Sequence, residues 1–73
     1  MAYNWVKYNN SDNATELFNL ERATRFRHID PGSEPYVEVY ADGDVHTIMS
    51  TTDPEAYRKV MDYIAQISGY QLD

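Results

Sequence analysis

Toward the C-terminal end, Tyr57, Val60, Met61, Ile64 and Ile67 recur at spacings of three and four, which places them on one stripe of an α-helix. The positions between them are largely polar. Asp53 followed by Pro54 supplies an N-cap and a first helical residue, and Thr52 with Glu55 supplies a capping box instead; both start the helix at the same point. Gly69 suits the left-handed conformation that ends a helix, so the pattern predicts a helix over about 54–68 with 70–73 as a tail.

Upstream, the period shortens to two. Tyr36 to Ala41 alternates Val37, Val39 and Ala41 with Tyr36, Glu38 and Tyr40, and after Asp42-Gly43 a second run spans 45–50. Two registers are open for this hairpin. A two-residue type I′ turn sets Val39 against His46 and Val37 against Ile48, whereas a three-residue turn with a glycine bulge sets Val39 against Val45 and Val37 against Thr47. A further strand over 24–30 stops at the turn cluster Asp30-Pro31-Gly32-Ser33-Glu34-Pro35. A short strand over 16–20 leads into it, and Leu20, Ala23 and Phe26 keep one face only if Glu21-Arg22 forms a tight turn or bulge. The first strand, 4–8, is closed by the polar run Asn9 to Asn13. Short connections favour antiparallel neighbours. The expected fold is therefore α+β: an antiparallel four- to five-stranded β-meander in one domain, residues 1–73, with the C-terminal amphipathic helix covering one sheet face and leaving the other open.

Composition adds limits. In a chain of 73 residues, a single core supplies roughly 3 to 5 kcal/mol, and without cysteine neither disulfides nor thiolate metal sites can supplement it. Self-association is the supplement that remains. The 42% of hydrophobic and 14% of aromatic residues are too many for a disordered chain. The N-terminal residues have no basic start or long apolar stretch, which gives the expectation of a cytoplasmic protein. A formal charge of −6, carried mostly by the C-terminal half, repels polyanions over most of the surface.

The segments Trp5-Val6-Lys7-Tyr8, Phe18 to Phe26, and Val37 to Gly43 with the closing helix resemble small uncharacterised bacterial and phage proteins built as a β-meander with one C-terminal helix. The resemblance implies that fold and carries no activity, cofactor or site residue.

Candidate chemistry is sparse. His28 and His46, with Asp30 or Asp44 nearby in sequence, are the pieces available for a metal site, and both imidazoles are expected to be structural. Ser33, Ser50 and Ser68 lack the glycine pattern of a nucleophile elbow, and Asp42 and Asp44 flank a turn glycine. No catalytic, metal or cofactor-binding residue is assigned, and an enzyme is not expected. Arg22, Arg25 and Arg27 form the one basic cluster, a candidate nucleic-acid contact that competes with ordinary cross-strand pairing to Glu16, Glu34 or Glu38. Tyr36 and Tyr40 share one strand face, and Tyr3 and Trp5 another, as candidate interface residues. The leading expectation is a protein-interaction module that forms a homodimer or binds another protein through an open sheet face or edge. The alternative is a small nucleic-acid-binding or regulatory protein.

Overall fold

The computed structural model describes residues 4–10 and 12–72. The α+β fold predicted by the pattern is the one adopted. Five antiparallel strands, β1 (Trp5–Asn9), β2 (Thr15–Asn19), β3 (Ala23–Ile29), β4 (Tyr36–Ala41) and β5 (Asp44–Met49), precede the helix α1 (Pro54–Ser68). No helix among the described residues is long and apolar enough to cross a membrane.

The strands fall into two sheets, β1–β2 and β3–β4–β5. What divides them is a 3-10 turn over Leu20–Arg22. The Asn19 side-chain oxygen accepts the Glu21 N–H at 3.0 Å, and the Ala23 N–H closes the turn on the Leu20 carbonyl. This turn, with a register shift between Ala23 and Arg25, is the irregularity that Leu20, Ala23 and Phe26 require. Leu20 is buried, and Ala23 and Phe26 pack against the same core.

Between β4 and β5 the two-residue register forms. Asp42 and Gly43 have φ of 53° and 83°, the paired positive values of a type I′ turn, and Val39 lies opposite His46 with Val37 opposite Ile48. Val37, Val39, His46 and Ile48 accordingly point inward, while Val45 is left outside.

The core joins both sheets to the helix. Val6, Tyr8, Phe18 and Leu20 come from the first hairpin, Val37, Val39 and Ile48 from the second sheet, and Ala56, Val60 and Ile64 from α1. The helix lies against β1, β4 and β5, and the Lys59 ammonium donates to the Trp5 carbonyl at 2.6 Å. The predicted helical stripe is corrected at two places. Ala56 belongs to it, whereas Ile67 is 58% exposed, beyond Ile64, the last buried residue of the helix.

Asp53 stands at the N-cap with Pro54 after it, as one of the two readings has it, but neither predicted side-chain cap bond forms. Asp53 makes no side-chain cap bond to the helix, and its carboxylate instead accepts the Asn9 N–H at 3.3 Å, tying α1 to the end of β1. The Glu34 carboxylate accepts the Thr51 and Thr52 N–H groups at 3.1 and 3.2 Å and both threonine hydroxyls. That engagement, led by the Thr51 hydroxyl, holds Glu34 below its ordinary carboxylate range. At the other end, Gly69 with φ of 79° returns its N–H to the Ala65 carbonyl, as predicted for a left-handed stop.

Ile48→Ala should cost about 2–5 kcal/mol by leaving a cavity between sheet and helix, whereas Ile67→Ala should stay within about 0.5 kcal/mol, both read by urea denaturation. Glu34→Gln should lower the melting temperature at neutral pH. The lowered folded-state value means that the Glu34 contribution is present above the unfolded carboxylate range and is lost as pH falls through the folded value, so the gap to the parent protein should close on acidification.

Candidate interaction surface

In β4, odd-numbered residues face the helix and even-numbered residues face away, and pairing extends this division across the sheet. The outward face consists of three cross-strand rows: Arg25, Tyr40 and Val45; Arg27, Glu38 and Thr47; Ile29, Tyr36 and Met49. The two tyrosines expected to share a face therefore do so. Each is half-buried by its row neighbours, and Val45 beside Tyr40 is 49% exposed.

Each of the three arginines has a partner within the chain. Arg27 bonds to Glu38 at 3.1 Å and reaches the Tyr40 hydroxyl at 3.5 Å. The Arg25 guanidinium lies 5.2 Å from the centre of the Tyr40 ring. Arg22, in the 3-10 turn, is set apart from the other two and bonds to Asp42 through two nitrogens at 2.9 and 3.1 Å. Cross-strand pairing is thus the local role of Arg25 and Arg27, with Glu38 as the one expected acid that is engaged, whereas Arg22 bonds from one turn to another.

Trp5 lies on the other sheet, where it is 42% exposed, pairs with Asn19 and shares the outer side of the first hairpin with Leu17 and Lys7. It does not join Tyr36 and Tyr40. Tyr3 lies outside the described residues.

The histidines stay apart, and each bonds to a tyrosine. His28 Nε2 is 2.6 Å from the Tyr57 hydroxyl, linking β3 to α1. His46 Nδ1 is 2.9 Å from the Tyr8 hydroxyl, and the His46 ring stacks on Phe18 at 4.2 Å with 7° between planes. Tyr8 meets both rings edge-on, at 5.9 and 5.8 Å. Burial, then the Glu16 carboxylate, pushes the Tyr8 phenol up to about 12. Among the described residues, no group of three or more His, Asp or Glu is arranged to hold a metal ion. Tyr8, 3% exposed, is buried in the joint between the two sheets. Its sequence parity with buried Val6 is the signal for that placement; the histidine partner, 38 residues away, has none.

Tyr8→Phe should cost about 1–3 kcal/mol by depriving buried His46 of its partner, and adding His46→Phe should cost less than the two single changes summed. The raised Tyr8 value also implies that stability falls as pH climbs from 10.0 toward about 12, since the unfolded chain releases the proton first; Tyr8→Phe should flatten that slope in an alkaline titration.

Set against family models, curated proteins and solved structures, the chain matches none of them.

Proposed function

We propose that the chain is a non-enzymatic protein-interaction module that self-associates through the outward face of β3–β4–β5. The observation that carries this reading is the composition of the three rows, in which half-buried Tyr36 and Tyr40 are flanked by Ile29, Met49 and Val45 on the side away from the helix. Flat aromatic and aliphatic rows with a charged pair between them resemble the mixed interior of a protein interface more than an ordinary solvated face.

Edge pairing fits less well. Setting β3 against its own copy would bring Arg25 and Arg27 against the same residues of the second chain, and like charges directly opposite are destabilising. The nucleic-acid alternative is weakened by the partners that Arg22, Arg25 and Arg27 already have, and by a formal charge of −6. Support for a non-enzymatic role comes from the two imidazoles, which are both committed to tyrosine hydroxyls.

Three strands about 4.8 Å apart, each about six residues long, present a face of roughly 300 Å², well below the ~800 Å² that each partner contributes to a standard interface. The association is therefore expected to be weak and concentration-dependent. Sedimentation equilibrium from about 1 μM to about 1 mM should show a reversible dimer, and Tyr40→Glu should weaken it about tenfold or more. A monomer across the whole range would sink the proposal.

A further inference from the structure

Between the outer edge of β2 and the β4–β5 turn runs a groove of about 600 Å³. The stacked rings of Phe18 and His46 form part of its lining. Trp5 and Leu17, exposed at 42% and 62%, stand on the hairpin side. Glu16, Asp42 and Asp44 line it too, against a single cation, Arg22, which is already bonded to Asp42.

The backbone of β2 adds a second feature. The β1–β2 ladder is bonded through even-numbered residues, as the Asn10 N–H to Ala14 carbonyl bond at 3.0 Å and the Leu20 N–H to Asn4 carbonyl bond at 2.7 Å mark at its two ends. By alternation, Leu17 and Asn19 turn their N–H and C=O groups away from β1, on the groove side of the strand. Exposed apolar side chains, a strand edge and an acidic rim therefore coincide.

We infer that this groove binds an extended segment of a partner protein in which an apolar residue lies between lysines or arginines, added as a third strand along β2. Strand geometry dictates the pattern. A residue opposite Leu17 falls on the outer side, which Leu17 shares with Trp5 and Lys7, and is apolar because a cation there would face Lys7. Its neighbours turn to the inner side, where Glu16 and Asp44 meet basic side chains. Charge complementarity selects the partner, because a net charge of −6 and the rim carboxylates Glu16 and Asp44, beside an Asp42 already offset by Arg22, repel an acidic segment.

Trp5 is the one tryptophan of the chain, so its fluorescence reports directly on the rim. Titration with a synthetic hexapeptide alternating arginine and valine should give a saturable change, weakened by raising salt from about 50 to about 500 mM. Asp44→Lys and Leu17→Arg, both exposed positions, should each weaken binding about tenfold. The same peptide with glutamate for arginine should not bind. Tyr40→Glu should bind the peptide like the parent, which separates this groove from the self-association face. No saturable change up to about 1 mM peptide, or equal binding of the acidic peptide, would overturn the inference. So would unchanged affinity in folded Asp44→Lys and Leu17→Arg proteins, checked by circular dichroism.

Discussion

The packing of His46 between Phe18 and the hydroxyl of Tyr8 holds together two sheets that are too small to stand separately. A two-stranded hairpin is marginal in water, and three strands with one buried face are near the lower limit of independent stability. Here the hairpin contributes Val6, Tyr8, Phe18 and Leu20 to a core that the second sheet and helix complete, and His46 is the polar group inside that seam. The tyrosine oxygen makes its burial tolerable. A histidine suits the position because it offers a flat ring to Phe18 and a nitrogen to Tyr8 at once.

That seam depends on a turn. With Asp42 and Gly43 both at positive φ, β5 is registered so that His46 and Ile48 point inward. One added residue in the loop would reverse β5, placing Val45 and Thr47 inside and His46 in water. The same register builds the opposite side of the sheet, where Val45 completes the Arg25–Tyr40 row and Met49 completes the Ile29–Tyr36 row. Core and outer surface are two readings of one backbone choice.

Much of this was legible in the sequence. Pro54, Gly69 and the apolar period delimit α1 at its observed ends, and alternation in Tyr36 to Ala41 assigns the faces of β4. What the pattern leaves open depends on individual side-chain bonds, some local and some between distant residues. Leu20–Arg22 turns the chain because Asn19 caps it, and that side-chain bond has no periodic signature. The Asp53 carboxylate looks like a helix cap and serves β1 instead, since the Asn9 N–H arrives from 44 residues away. For the surfaces, the shared side of Tyr36 and Tyr40 followed from parity alone. The separation of Trp5 from them, and the choice of Glu38 and Asp42 as arginine partners, required the arrangement of two sheets that pattern alone does not supply.

Helix α1 outlasts its seat. Its last buried side chain is Ile64, while its backbone runs on to Ser68, where the hydroxyl donates to the Ile64 carbonyl at 2.6 Å before Gly69 stops it. The final turn is held by its own backbone and cap, with Gln71 and Leu72 lining a small cleft beside Met61 and Ala65. Fraying of that end would therefore withdraw no side chain from the core that joins the two sheets.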